Sequence, residues 1–319
     1  MDTGVPRFAG IAQACRILSE PYAGLQAQAL GLAEAAGWAP GLRDLMAAQP
    51  WSRVPARFWP RPLRVTGLDA GDVPPLAISV GGMGAAVGAA LRRRGARVVQ
   101  VQAPRMDLRR FDLVVANRHD ELSGPNVIVT RTALHRATPQ RLADARAAWA
   151  PRFAHLPRPL VAVLVGGSNG RFRLGPAEGE SLAAGLADMM RQDRVGLALT
   201  ASRRTDPVVR GALEAALRPL GALVWDMVGE NPYFGMLACA DVIVATIDSV
   251  SMVSEAVATA APVLLAELPG RSRRIGLFLR TLAEEGRVRP FAGRLEQWAA
   301  APLDDTAAAA EEMRRRLGL

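Results

Sequence analysis

Polar side chains recur at helical spacing along the stretch from Asp248 to Thr259. At about 3.6 residues per turn, one face of a helix here carries Asp248, Ser251, Glu255 and Thr259. A short apolar run, typical of a buried parallel strand, precedes them. Ligands of open α/β sheets bind beyond the carboxyl ends of the strands, where a helix N-terminus offers free N–H groups to an anion. The spacing therefore predicts an anion-binding site at this helix start; plain capping by Ser249 and Ser251 is the alternative.

A second apolar run, residues 160–165, leads directly into Gly166, Gly167 and Ser168. Glycine lets backbone N–H groups approach a phosphate closely. A tight turn between strand and helix is the alternative explanation for the glycines. Two such strand ends in one half of the chain favour a shared phosphate site.

The residues that are missing or scattered exclude several kinds of chemistry. No lysine occurs, so all 39 basic residues are arginine. This excludes a Walker-type lysine, a Schiff-base lysine and a lysine general base. No metal-ligand spacing is formed by the two cysteines and three histidines, which are Cys15, Cys239, His119, His135 and His155. We therefore expect no metal site and no cofactor.

The net charge of +9 suits nucleic acid, an anionic membrane surface or phosphorylated substrates. Aromatic residues make up only 5% of the chain and do not interleave with a basic stripe, so nucleic-acid binding is not predicted. No apolar run approaches the ~20 residues of a membrane span. Residues 1–7 lack a basic region followed by a long apolar one, so we expect neither an anchor nor a secretion signal.

Strand-like and helix-like segments alternate in both halves of the chain. A length of 319 residues allows two domains of about 150 residues each. Three prolines within Pro151–Pro159 predict a linker, which places a first domain at 1–155 and a second at 156–319. The predicted fold class is α/β, with two doubly wound Rossmann-like domains facing a central cleft.

The elements follow from the same patterns. The predicted strands are 14–18, 75–80, 96–101, 111–116, 126–130, 160–165, 195–200, 222–225 and 241–246, with one more ending at 265. The predicted helices are 25–36, 85–94, 141–149, 178–191, 207–217 and 305–317, besides the helix after Asp248. Gly81–Gly84 is predicted as a turn and Pro50–Pro62 as irregular.

Taken as a set, several motifs resemble the mitochondrial-fission ELM family. They are 166–168, 200–205, 231–235, 240–241 and 248–255, with 24–28 and 111–120 in the first half. The bacterial members of that family are assigned to the glycosyltransferases by likeness to GT-B enzymes. The resemblance covers most of the chain and implies a GT-B-like fold.

Within that fold, the second half resembles the nucleotide-sugar domain of the lipid-linked N-acetylglucosaminyltransferase of peptidoglycan synthesis. This implies that Glu255 accepts hydrogen bonds from the ribose hydroxyls, and that Ser249 and Ser251 hold the diphosphate at the helix N-terminus. Ser168 would lie at the phosphates or at the junction of donor and acceptor. Asp248 and Ser249 replace the Ser-Gly pair usual in that enzyme, so the phosphate contacts differ there.

Arginine is the predicted counter-charge for a leaving nucleoside diphosphate. Without a metal, the developing charge must be met by N–H dipoles and guanidinium groups. Ser202, Arg203 and Arg204 follow a strand end, and Arg204 is preferred over Arg203 as the phosphate ligand, with a solvated pair as the alternative. Asn231 and Tyr233 are predicted to lie in a loop before a helix that covers the nucleotide base; a plain Asn-Pro turn is the alternative.

Transfer to a hydroxyl also needs a group that accepts its proton, and in this fold that group should come from the first domain. The candidates are Glu20, after the first strand, and His119 and Asp120, after the strand ending at Ala116. We rank His119 and Asp120 together above Glu20.

The function that fits these residues is a metal-independent glycosyltransferase that moves a sugar from a nucleotide sugar to a lipid-linked or lipopolysaccharide-core acceptor. A non-catalytic scaffold that binds proteins or membrane, and a nucleotide-sugar epimerase, are the alternatives. The predicted location is the cytoplasm, with peripheral association with anionic lipid at the inner membrane face kept as an option.

Overall fold

The computed structural model describes residues 15–69 and 71–319. The chain divides into two compact units. One comprises the chain up to Arg136 together with Asp305–Leu319, and the other is Ala137–Asp304. Residues 1–7, on which the prediction about a secretion signal depends, lie outside the described residues.

The first unit is built on a six-stranded parallel sheet in the order β2-β1-β3-β4-β5-β6. Its strands are β1 (Cys15–Ser19), β2 (Gly41–Asp44), β3 (Leu76–Val80), β4 (Arg97–Val101), β5 (Leu113–Asn117) and β6 (Val127–Thr130). Its helices are α1 (Ala23–Ala35), α2 (Pro62–Val65), α3 (Gly81–Arg92) and α10 (Thr306–Leu317). The order reverses between β1 and β3, which makes their carboxyl ends the topological switch point of this sheet.

Both faces of this sheet are covered, which explains its nearly continuous apolar strands. Successive residues of a strand point to opposite faces. Ile78 accordingly packs in the cluster that contains α1 and α10, whereas Ala77 packs in the cluster that contains α3. Asp305 precedes α10 and forms an ion pair with Arg131 at 2.6 Å.

The second unit has its own six-stranded parallel sheet, in the order β12-β11-β10-β7-β8-β9. Its strands are β7 (Leu160–Val165), β8 (Gly196–Ala201), β9 (Leu223–Val224), β10 (Val242–Thr246), β11 (Val263–Ala266) and β12 (Val288–Pro290). Its helices are α4 (Pro139–Phe153), α5 (Pro176–Asp193), α6 (Pro207–Leu217), α7 (Tyr233–Cys239), α8 (Val250–Val257) and α9 (Arg273–Glu284). Here the order reverses between β7 and β10, so the switch point lies where these two strands end.

The predicted α/β class with doubly wound parallel sheets is confirmed, although several boundaries differ. The structure places α4 in the second unit and α10 in the first, whereas the sequence placed the division at 155/156. The predicted linker begins inside a helix, because α4 runs through Pro151 to Phe153, whose side chain is 1% exposed in the core of the second unit. No separate turn forms at Gly81–Gly84, since Gly81 adopts a φ of +75° and starts α3 directly after β3.

The two strands that the sequence pattern misses, β2 and β12, each lie at a sheet edge. All four residues of β2 are exposed, so no apolar alternation marks them. Helices α2 and α9 were also not predicted, whereas α7 forms where a helix was expected after the loop that contains Asn231. Among the described residues, no helix is both long and apolar enough to cross a bilayer.

Candidate functional site

The glycine loop after β7 is bonded to the end of β10. The Gly166 N–H donates to Thr246 Oγ1 at 2.8 Å, and the Gly167 N–H donates to Asp248 Oδ2 at 3.0 Å. A Cβ atom on Gly167 would lie 2.4 Å from the carbonyl oxygen of Arg204. Only glycine therefore lets the loops after β7 and β8 approach this closely.

Asp248 is the centre of this network, and its side chain is fully buried. Besides Gly167, its carboxylate accepts a hydrogen bond from Thr246 Oγ1 at 2.7 Å and pairs with Arg204 Nη2 at 3.1 Å. A carboxylate that is buried in this way and engaged by three donors is not available to a phosphate. Asp248 thus positions the glycine loop and Arg204, which is a supporting role and not the ligand contact that the sequence predicted.

Arg204 is anchored by Asp248, but part of its guanidinium group remains available to a ligand. Its Nη1 also donates to the Gly167 carbonyl at 3.3 Å, and 47% of its side chain remains exposed. Arg203 is exposed and makes no hydrogen bond or ion pair with any residue that the structure describes. Ser202 Oγ donates to the Gly166 carbonyl at 2.9 Å and accepts from the Arg204 N–H at 3.2 Å, so it fixes the loop. The loop after β8 therefore presents one anchored and one unpaired guanidinium.

The N-terminus of α8 follows Asp248 directly. Ser249 is its N-cap, and its hydroxyl accepts from the Met252 N–H at 3.4 Å. Ser251, in the first turn, is half-buried. Capping accounts for the Ser249 hydroxyl, while the other N–H groups of the first turn remain suited to an anion.

One turn further along, the buried Glu255 is paired with the half-buried Tyr233. The Tyr233 hydroxyl donates to Glu255 Oε2, and the Glu255 residue is only 7% exposed. Burial raises the pKa of Glu255 to about 7, against the smaller lowering effect of the Tyr233 hydrogen bond. Burial and the neighbouring carboxylate hold the pKa of Tyr233 well above its ordinary value. Within the described chain Tyr233 is the bonded partner of this carboxylate, which leaves Oε1 for a ligand.

The side chains of Asn231 and Ser168, both predicted to be at the site, bond backbone groups within their own loops. Asn231 Oδ1 accepts from the Tyr233 N–H at 3.0 Å, the geometry of the plain turn that was the alternative. Ser168 Oγ accepts from the Leu174 N–H at 2.9 Å and closes the loop between them.

The sequence did not single out two threonines of this network. The Thr246 hydroxyl accepts from the Gly166 N–H and donates to Asp248. The Thr205 hydroxyl donates to the Gly166 and Val165 carbonyls and lies 3.1 Å from Ser202 Oγ. Both threonines lie at or shortly after a strand end, and this position in the sequence could have identified them.

In the first unit, Glu20 follows β1 at the switch point of that sheet. Burial raises its pKa, against the opposing effect of hydrogen bonds from the backbone N–H groups of Gly82 and Met83 at the start of α3. His119 and Asp120 follow β5, which β3 and β4 separate from β1. His119 is buried, and its Nε2 lies 3.8 Å from Asp120 Oδ1. The structure therefore brings His119 and Asp120 together but places Glu20 at a different strand end.

The chain has clear relatives. Residues 23–317 match the family described as Mitochondrial fission ELM1. The mitochondrial fission protein ELM1 of Arabidopsis thaliana is 32% identical in an alignment of 279 residues that covers 77% of this chain and 64% of that protein. The chain therefore spans less than two thirds of the length of that relative.

Solved structures share the fold. UDP-GlcNAc 2-epimerase of Methanocaldococcus jannaschii, in complex with UDP-GlcNAc and UDP, has a TM-score of 0.57 at 12% identity, over 95% of this chain and 98% of that one. A Medicago truncatula protein complexed with UDP-glucose has a TM-score of 0.51 at 12% identity, over 95% of this chain and 93% of that one. The sequence identity is low, so these likenesses establish only that the chain has a GT-B-like fold.

Proposed function

Because this chain belongs to the mitochondrial fission ELM1 family and has a GT-B-like fold, we propose that it is a metal-independent glycosyltransferase that uses a nucleotide sugar. The second unit binds the donor. The acceptor is lipid-linked or part of a lipopolysaccharide core, and the protein acts in the cytoplasm at the inner membrane face.

The observation that carries this proposal is the composition of the switch point between β7 and β10. A capped helix N-terminus, the anchored guanidinium of Arg204 and the buried carboxylate of Glu255 all belong to loops or helices that follow these strands and their neighbour β8. The first two suit a diphosphate, and a carboxylate suits the two ribose hydroxyls as donors. The remaining loop residues, Gly166, Gly167, Ser168 and Ser202, set the geometry.

The reaction needs charge stabilisation and one proton acceptor. The acceptor hydroxyl oxygen forms a bond to the anomeric carbon while the bond from that carbon to the diphosphate oxygen breaks, and the electron pair leaves with the diphosphate. Arg204, Arg203 and the N–H groups of α8 stabilise the charge that develops there. The hydroxyl proton goes to a base in the first unit.

Glu20 is our preferred base on the structure, reversing the order that the sequence suggested. It is half-buried at the switch point of the first sheet, and its raised pKa brings it closer to that of a group that accepts a proton near neutrality. His119 is buried beside Asp120 and has little access to an acceptor. Glu20→Gln should lower kcat at least about a hundredfold and leave donor affinity unchanged, whereas equal losses in both would contradict the assignment.

Donor binding is tested first by a thermal-shift screen against UDP, GDP, CMP and ADP and their sugars. Glu255→Gln is compared with Glu267→Gln, a matched control because Glu267 is exposed in the same unit. We expect one nucleotide to raise Tm, and we expect Glu255→Gln alone to lose that rise. No rise with any nucleotide would contradict a donor site and favour the scaffold.

The product then separates transferase from epimerase. The bound nucleotide sugar is incubated with and without acceptor, and the sugar products are resolved by chromatography. A transferase leaves the donor largely intact until acceptor is added. An inverted nucleotide sugar, or an altered free sugar with nucleoside diphosphate, formed without acceptor would instead indicate an epimerase.

A further inference from the structure

One segment of the first unit combines exposed apolar side chains with unpaired positive charge. Residues 45–66, here called the arginine-rich segment, contain four arginines and no aspartate or glutamate. Those arginines are Arg53, Arg57, Arg61 and Arg64, and all four are exposed. None of them makes a hydrogen bond or ion pair with any residue in the described part of the chain.

The buried side chain of Trp59 anchors the arginine-rich segment to the first unit. Trp59 is 6% exposed, and its Nε1–H donates to the carbonyl of Val54 at 2.9 Å and to that of Trp51 at 3.2 Å. The Trp59 ring packs in a cluster with Val65 and with Ala86 of α3. A loop anchored in this way presents its outer side chains in a set arrangement.

The outer side chains are large and apolar. Phe58 is 62% exposed and Met46 is 73% exposed, while Trp51 is half-buried. The guanidinium carbon of Arg57 lies 4.7 Å from the centre of the Phe58 ring. Exposing such groups to water is unfavourable, and cations beside them do not suit an apolar protein partner.

We propose that the arginine-rich segment docks on an anionic lipid bilayer. Phe58 and Met46 enter the boundary between headgroups and acyl chains, and the four arginines lie among the phosphates with their methylene groups along the same boundary. Because the segment contains four arginines and no carboxylate, its charge is positive throughout and complements a negatively charged surface. This inference concerns the first unit and does not depend on nucleotide binding.

The test is co-sedimentation of the full chain with vesicles of equal parts phosphatidylcholine and phosphatidylglycerol, and with phosphatidylcholine alone. We expect binding to the anionic vesicles only, weakening as salt is raised. Arg57→Gln with Arg61→Gln should weaken it about thirtyfold. Arg191→Gln with Arg218→Gln removes the same charge from exposed positions elsewhere and should leave binding within about threefold of the unmodified chain.

The apolar contribution is tested separately. Phe58→Ser should weaken binding about tenfold at low and high salt alike, whereas Val208→Ser, at a residue 60% exposed in α6, should not. Because all these side chains are exposed, each variant should keep the Tm of the parent protein.

Three results would overturn the proposal. They are equal binding to phosphatidylcholine alone, equal losses in the control variants, and tight binding to duplex DNA without vesicle binding. The last would assign the segment to nucleic acid.

Discussion

Asp248 shows how a residue can lie at a binding site without touching the ligand. The sequence correctly groups it with the glycine loop and Arg204, since all three follow strand ends at one edge of a sheet. It cannot show that the carboxylate is bonded to Gly167 and Arg204, because those two bonds depend on how loops 81 and 44 residues away are packed. The same limit applies to Tyr233, whose hydrogen bond to Glu255 the sequence does not reveal.

Glu255 makes the stability of the second unit depend on pH. Its pKa is about 7 in the fold, against 4.5 for an exposed glutamate, so between these values the folded chain holds a proton that the unfolded chain has released. The resulting contribution is complete below about pH 4.5 and is lost as the pH rises through 7, a change of about 3 kcal/mol. Urea unfolding from pH 5 to 8 should show this loss for the parent chain and not for Glu255→Gln.

The control for this experiment is Glu267→Gln, which should keep the parent pH dependence because Glu267 is exposed. Parallel curves for the parent chain and Glu255→Gln would show that Glu255 titrates normally in the fold.

Tyr233 should influence the pH range in which the proposed donor site binds its nucleotide. Its hydroxyl lowers the pKa of Glu255, so Tyr233→Phe raises that pKa further and moves the pH midpoint of nucleotide affinity upward. The measurement is Kd against pH for the nucleotide found in the screen. Tyr22→Phe, at a residue 63% exposed in the first unit, is the control. A uniform loss of affinity at every pH would assign Tyr233 to packing alone.

Among the loops, Gly167 should tolerate no side chain. The Cβ of alanine would meet the backbone oxygen of Arg204 at 2.4 Å, so Gly167→Ala should destabilise the second unit by about 1–3 kcal/mol. Gly211, within α6, has nothing within 4 Å of a Cβ position, and Gly211→Ala should stabilise by about 1 kcal/mol. Thermal unfolding of the two variants gives opposite shifts in Tm. A shift of the same sign in both would contradict the close approach of the two loops.

The strands and helices were predictable where burial imposes a pattern. β7 and β10 lie between other strands and are covered on both faces, so an apolar run marks each of them in the sequence. β2 is an exposed edge strand, and its pairing with β1 comes from backbone hydrogen bonds, which any sequence can supply. Residues 50–62, which make up much of the arginine-rich segment, are predicted as irregular. The Trp59 hydrogen bonds that order them join residues 5 and 8 positions apart, so they leave no helical or strand periodicity in the sequence.

For the molecule as a whole, the division into units is not sequential. Helix α10 follows the entire second unit in the chain, yet it completes the first, where Ala309, Ala310 and Met313 are buried beside α1. Sequence composition cannot reveal this return, since a linker is marked by prolines whereas a returning helix resembles any other amphipathic helix.

Met313 tests that assignment. Its side chain is fully buried, so Met313→Ala should destabilise the first unit by about 2–5 kcal/mol and leave the nucleotide response of the second unit intact. Met46→Ala, at a residue 73% exposed, should change stability by less than about 0.5 kcal/mol. Chemical unfolding of the two variants measures the contrast, and similar stabilities would mean that α10 contributes little to the first unit.

The return of the chain at Asp305 also sets an order for folding during synthesis. A ribosome makes the whole of the second unit before it makes α10. The second unit is therefore complete in the nascent chain while one face of the first sheet still lacks one of its two covering helices. Domains usually finish in N-terminal order as they emerge. Here the earlier-translated half is the last to be completed, and the apolar area that α10 will cover is the surface that a ribosome-associated chaperone would meet.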